Sequence, residues 1–473
     1  MNKLIVGLGL IVGFVQTGFA QQNSFNQSGN GLGSLFATDY QSLGINPGNL
    51  GWNKEMGGSN FAIGFLELDF AVHSTLLDKD ALRSLVSTGG DNAFLSTYAE
   101  KREAAEKIAS SNLRFSVNSR WAGFSFTTKA IGGFGFSLSD HLSMGIHINK
   151  AGSDVFFNGA LANYFDVKYD ENGNQLGSDY NEDDVESGRA SNPVMASKLF
   201  DGTDIGYMWY RQISLGYGMG VIKTNLLSIY PGIGVNYLMG QGIFRFAAKD
   251  GKLSAFNSFN PSFDVDYAGV SSQSQSSGGN LSSVGGGLGV DLGANVVLLD
   301  KFRFSMALTG LGSINWKGNA LKANDFLVDS TSSKGFDSYN FVKEVAEDVQ
   351  NGTIKWSDGE SERIMTPAFI RLGAGMKLAK ILKAGVDFSF PLNDVPGSID
   401  GGTLALGAEV DLKVVKVTTG YTINKDYGNS IPFGISFDLA VYEFGFASRD
   451  IASFILADGN TISMSMGFLR FKF

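Results

Sequence analysis

Segments of about ten residues in which apolar and polar side chains alternate recur from Phe61 to Phe473, and nothing else in this chain of 473 residues restricts its fold as tightly. Leu288, Val290, Leu292, Ala294 and Val296 fall on one face, with Gly289, Asp291, Gly293 and Asn295 on the other. After a turn at Leu298 to Lys301, Phe302, Phe304, Met306 and Leu308 oppose Arg303, Ser305 and Ala307. The pattern returns at Leu404 to Val414, with Glu409 and Asp411 on the polar face, and at Ile435 to Val441, with Ser436 and Asp438 there. A period of two means pleated strands with one apolar face.

In a soluble sandwich the apolar face meets a core; in a membrane barrel it meets lipid and the polar face lines a lumen. Four features favour the barrel. The polar face is often Gly, Ser or a charge beside an uninterrupted apolar one. The segments approach the ~9–11 residues that a tilted spanning strand needs. Connections alternate between very short (298–301, 378–383, 413–416) and long (169–203, 316–366), and the chain ends on a strand, Met466 to Phe473. Hydrocarbon offers no partner to an unpaired backbone group, so such a sheet must close. The expected fold is an all-β, antiparallel transmembrane barrel of the outer-membrane type with about 14 strands, wide enough to need something inside it. One irregularity stands at the C-terminus. The apolar face switches from Phe473, Phe471 and Leu469 to Phe468, Met466, Met464 and Ile462. Either a bulge sits near Gly467 or part of the lumen face is apolar.

The N-terminus reads as an export signal over residues 1–20: Lys3, an uncharged apolar run from Leu4 to Val15, then Gly18-Phe19-Ala20 before Gln21. Residues 21–58 form a polar, turn-rich segment ahead of the first strand, and 59–473 the barrel. Leu76 to Asn112 has helical periodicity, read as two short helices, and Tyr339 to Gly352 a third. Gly269 to Gly287 is a Ser/Gly/Gln-rich loop.

The chemistry-bearing residues exclude more than they offer. There is no cysteine, so thiolate metal sites and cysteine nucleophiles are absent. With a net charge of −9 and no basic patch, nucleic acid is not an expected partner. The three histidines, His73, His141 and His147, lack zinc-ligand spacing, and no Gly-x-Ser-x-Gly occurs. An acidic stretch from Tyr169 to Glu186 reads as a hairpin tip at Glu171-Asn172-Gly173, with a weak calcium site at Asp179, Asp183 and Asp184 as the alternative. Gly285 to Gly289 lets a wall bend and is no phosphate loop. The tryptophans Trp52, Trp121, Trp209, Trp316 and Trp356, and Tyr207 to Gln212, read as interfacial anchors. No catalytic residue, metal site or cofactor is expected, and no enzyme.

Asn46-Pro47-Gly48-Asn49-Leu50 lies soon after the export signal and before the strands. This element resembles the Asn-Pro-x-x-Leu plug of the outer-membrane long-chain fatty-acid transporter superfamily, where Ala-Gly is usual in place of Gly48-Asn49. Thr366 to Leu378 and Gly287 to Trp316 resemble strands of its Bacteroidota branch, which includes the shuttle barrel of type IX secretion. The resemblance implies an N-terminal plug in the lumen that moves to open a sideways path, with Asn46 to Leu50 as plug or gate. Pro47 fixes φ, and Gly48 permits positive φ. Phe473, Phe471 and Leu469 resemble the C-terminal signal read by barrel-assembly machinery. The expected function is passive uptake of hydrophobic or amphipathic small molecules across the outer membrane. The alternative is an adaptor subunit of an envelope protein complex, for type IX secretion or barrel assembly. Expected partners are outer-membrane lipid, the assembly machinery, and either a hydrophobic small molecule or that complex. A lumen facing only polar groups would count against apolar cargo.

Overall fold

The computed structural model describes residues 31–52, 59–74, 95, 97–109, 111–263, 282–337, 354, 356–379, 381–396, 402–424, 428–455 and 461–473. The export signal, the first of the two helices expected within 76–112 and the helix expected at 339–352 lie outside them. Fourteen strands form the wall: β1 Phe61–Ser74, β2 Asn112–Thr128, β3 Gly132–His147, β4 Asp204–Gly218, β5 Leu227–Lys249, β6 Gly285–Leu298, β7 Phe302–Trp316, β8 Phe369–Ala379, β9 Leu382–Pro391, β10 Thr403–Asp411, β11 Val415–Asn424, β12 Phe433–Leu439, β13 Tyr442–Ser448 and β14 Thr461–Lys472. Each pairs antiparallel with the next, and β14 pairs with β1 from Ala62↔Lys472 to His73↔Thr461, so the sheet is a closed barrel. At the seam Phe473 and Phe61 exchange both backbone hydrogen bonds, at 2.8 and 3.1 Å. Tight turns join β2–β3, β6–β7, β8–β9, β10–β11 and β12–β13 at one end; the long connections lie at the other.

The alternation resolves as a membrane wall requires. Leu288, Leu292, Phe304, Met306, Leu404 and Leu406 are exposed on the outside, while Asp291, Asn295, Arg303, Glu409 and Ser436 are buried inside. One polar cluster breaks the outer belt. On β3 and β4, Arg211 clasps Asp140 through Nε (2.8 Å) and Nη2 (2.9 Å), and Trp121 Nε1 donates to the same carboxylate at 2.8 Å. It sits nine residues from the tip at Ile131, roughly 23 Å along a strand tilted by ~40°, against a belt of ~25 Å. This cluster therefore lies at the belt's upper rim.

The irregular C-terminal strand is a bulge, not an apolar lumen patch. The register of β13 with β14 shifts between Glu443 and Gly445, so Phe468 and Leu469 both face outward and Arg470 turns in. Next to it, Leu66 of β1 has φ 54° and faces outward, and β2 bulges at Trp121. Three adjacent strands are thus kinked at one height.

Above the belt, the outward faces of β1–β5 (Val72, Leu113, Met144, Ile146, Ile205, Tyr207, Phe244, Phe246) are not bare. They pack into an apolar cluster with helices α3 (Tyr98–Ala109) and α4 (Lys150–Asn158). A small sheet of Val167–Tyr169, Ser187–Met195 and Leu327–Thr331 completes the cap. The expected anchor run at Tyr207 to Gln212 is therefore mostly buried, since its strand rises beyond the belt. Trp52, Trp316 and Trp356 are likewise buried and Trp209 is half-buried; Trp121 stays exposed on the outer face.

Candidate functional site: the plug and its seat in the lumen

Residues 31–52 thread into the lumen at the tight-turn end. Here α1 (Gly33–Phe36), a 3-10 turn (Asp39–Ser42) and α2 (Asn49–Trp52) are too short to stand alone and are wholly buried. The wall makes room with glycines. A Cβ added at Gly123 would lie 2.3 Å from the Tyr40 ring, at Gly133 2.3 Å from Leu50 O, and at Gly232 2.4 Å from Pro47 O.

Asn46-Pro47-Gly48-Asn49-Leu50 forms the turn into α2. Asn46 Oδ1 accepts the Gly48 N–H at 2.9 Å, and Asn46 Nδ2 donates to Ser34 O (3.3 Å) and to Asn295 Oδ1 (3.0 Å) on β6. Asn295 Nδ2 donates to Asn49 Oδ1 at 2.7 Å, and Asn49 Nδ2 to Ala37 O at 2.9 Å. One wall asparagine thus reads two plug asparagines. Leu50 packs with Tyr40 and Leu43. The positive φ expected at Gly48 belongs instead to Gly44 (73°). Gly48 is needed because a Cβ there would meet Tyr230 O at 2.7 Å.

Sequence reasoning missed the ionic contacts. Asp39, a non-glycine residue at φ 50°, accepts Arg470 Nη2 at 2.5 Å. Arg470 also pairs with Glu443, which Lys472 holds at 2.9 Å. Asp438 joins through Lys472 (2.6 Å) and Lys416 (3.0 Å). The Tyr40 hydroxyl donates to Glu67 Oε1 at 2.5 Å, Gln41 Nε2 donates to the same oxygen at 3.1 Å, and Arg120 Nη1 reaches Glu67 Oε2 at 2.7 Å. Further round the wall, Ser34 N–H donates to Asp387 at 3.2 Å.

Mid-lumen is therefore polar. Towards the long-loop end the inner wall turns apolar on β4, β5 and β7, where Met208, Tyr210, Leu238, Ile243, Ile314 and Trp316 cluster. Residues 392–396 cross from β9 to cover this patch. Val395 packs on it, and Ser143 Oγ donates to Pro396 O at 3.3 Å. Among the described residues no group of three or more His, Asp or Glu is placed to hold a metal. Asp170 closes the acidic tip by accepting the N–H groups of Asn172 and Asn174, as a hairpin tip does. His141 Nδ1 lies 2.7 Å from Asn118 Oδ1 and away from any carboxylate triad.

Residues 78–448 match a protein-family profile described as "Family of unknown function (DUF5723)". The chain belongs to this family. The match runs from before α3 to the end of β13 and leaves out the plug, β1 and β14. No curated protein matches the chain. Among solved structures, the toluene transporter TodX of Pseudomonas putida aligns over 97% of this chain and 98% of its own, at 11% identity and a TM-score of 0.44. Its deltaS2S3 mutant, a monoaromatic hydrocarbon channel, gives 0.47 at 11% identity over 96% and 98%. A Pseudomonas aeruginosa FadL homologue gives 0.40 at 11% identity over 97% and 99%. At TM-scores below 0.5 these likenesses decide nothing further about this DUF5723 chain, whose barrel stands on its own closed register.

Proposed function

We propose that this barrel sits in the outer membrane and passes hydrophobic or amphipathic small molecules passively, with residues 31–52 as its gate and Asn46 to Leu50 as the gate's hinge turn. The observation that carries the reading is the plug's attachment. A buried segment with short elements and no disulfide cross-link is held to the wall by separable contacts: Asp39–Arg470, Tyr40–Glu67–Arg120 and Asn46–Asn295–Asn49. The tight-turn end, where the plug sits, is the periplasmic end in barrels of this kind.

The polar mid-lumen argues against an apolar molecule travelling straight down the axis. Two features offer another course. The apolar patch under Val395 suits the first contact from the long-loop side. The kinked row at Leu66, Trp121 and Phe468–Leu469 lies one residue from Glu67, so loosening the Tyr40–Glu67–Arg120 contact would loosen the wall beside it. Phe473, Phe471 and Leu469 serve assembly in this reading, their outward row closing the seam against β1. Uptake of an environment-sensitive fluorescent amphiphile by cells, with and without the Asn46→Ala variant, tests the transport reading. Unchanged uptake in cells lacking the protein would sink it.

One observation favours an adaptor role, in type IX secretion or barrel assembly. Among the described residues the cap of α3 and α4 covers the side of β1–β5, and the outer face of α3 is charged, with Glu103 pairing Lys107 at 2.7 Å. Co-purification of the intact protein with other envelope proteins in mild detergent tests it.

A further inference from the structure

The inner wall at the tight-turn end of β7–β9 carries three cations in one patch. Lys377 stands directly opposite Lys383, and Arg303 opposes Gly375, the next inward position on β8. Like charges facing each other across a ladder repel. Lys383 is answered by Glu409 at 2.5 Å. Lys377 forms no ion pair among the described residues. Arg303 is 5% exposed, and neither its Nε nor its Nη1 has a hydrogen-bond partner among the described residues. Its guanidinium stacks instead between two plug rings, 5.4 Å from Phe36 and 5.0 Å from Trp52. The indole N–H of Trp52, wholly buried, also lacks an acceptor among the described residues.

Three other buried arginines of the lumen are answered by a carboxylate. Arg120, Arg449 and Arg470 each hold a carboxylate and leave only Nε over. A buried guanidinium with two idle donors, beside an idle indole N–H and an unpaired ammonium, is a donor set without its acceptor. Its planar fork suits an oxoanion with paired oxygens. The aromatic rings contribute cation–π attraction but accept none of these hydrogen bonds. Residues 21–30, which precede the plug, contain no Asp or Glu; residues 53–58, which follow it and lie outside the described residues, contain one, Glu55.

We propose that Arg303, Lys377 and the Trp52 N–H bind a small oxoanion between plug and wall, and that its occupancy pins the plug. The shared chemistry is that of inorganic phosphate and of the phosphate or carboxylate end of an amphiphile. The site stands whether or not the plug opens for transport.

The test uses the full-length protein in mild detergent, exchanged into phosphate-free buffer. Thermal unfolding is followed with added inorganic phosphate, with octyl phosphate, and with chloride at matched ionic strength. The expected result is a saturable rise of several degrees with phosphate but not chloride, lost in Arg303→Gln and halved or more in Lys377→Gln. Lys377 is less buried, so its variant keeps the test open if Arg303→Gln does not fold. Native mass spectrometry separates the sources: a retained phosphate mass points to the free ion, a retained octyl phosphate with a larger shift to an amphiphile's end. Equal shifts with chloride, or shifts unchanged in both variants, overturn the proposal. So does a loss of stability in Glu55→Gln matching that of Arg303→Gln with no response to phosphate, which would make Glu55 the counter-charge.

Discussion

At the scale of single residues, Arg470 carries the tightest hold on the plug, and its partner Asp39 is 431 positions away in sequence. Removing one partner of a buried pair costs about 3–5 kcal/mol because the other charge is left stranded. Arg470→Gln strands Asp39 while Lys472 still serves Glu443. The expected outcome is a folded barrel with a loosened plug, seen as open-channel bursts in planar bilayers where the parent protein stays shut. Gly123→Val attacks the same segment sterically, because its side chain needs the space of the Tyr40 ring. That variant should expose the plug to added protease, with the heat-resistant barrel band on gels unchanged. Asn46→Ala leaves Asn295 Oδ1 and the Gly48 N–H without partners, while Asn295 Nδ2 keeps Asn49, and should lower stability by about 1–3 kcal/mol, read by chemical denaturation. Asn46 to Leu50 stood out in the sequence through its resemblance to a plug element and the turn chemistry of Pro47 and Gly48. The ionic hold was not, because its members lie on opposite ends of the chain. Arg470 was further hidden by a bulge that changes which residues of β14 face inward.

At the scale of elements, the strands were legible because one face must meet lipid and the other cannot. The helix at Tyr98–Ala109 falls within the helical stretch read at 76–112, whereas α4 was not foreseen. Its start is set by Asn149, whose Oδ1 accepts the Gly152 N–H at 2.7 Å while Nδ2 donates to Leu199 O at 2.9 Å. Asn149→Ala should therefore cost about 1–2 kcal/mol and hasten cleavage of the cap by added protease. The cap also carries a pH response. Burial holds the Lys168 ammonium down at about 8 from its ordinary 10.5, although it donates to Ala160 O (2.6 Å) and Ala162 O (3.0 Å). Between those two values the unfolded segment binds more protons than the folded one, so cap stability rises with pH across that window. Lys168→Met should flatten the rise, measured as protease resistance from pH 8 to 10.5 against the parent.

At the scale of the whole molecule, the lumen holds different chemistry at its two ends. The tight-turn end is closed by a plug on polar and ionic contacts; towards the long-loop end residues 392–396 cover an apolar patch. The central claim is that the plug opens. The chain has no cysteine, so a tether can be introduced cleanly. A Cβ at Gly293 would lie 3.1 Å from Asn46 Cγ, close enough for Asn46→Cys and Gly293→Cys to be joined. The most direct measurement is amphiphile uptake by cells carrying this pair, oxidised and then reduced. Uptake is expected to stop on oxidation and to return on reduction. Uptake that continues at full rate through a verified cross-link would contradict it.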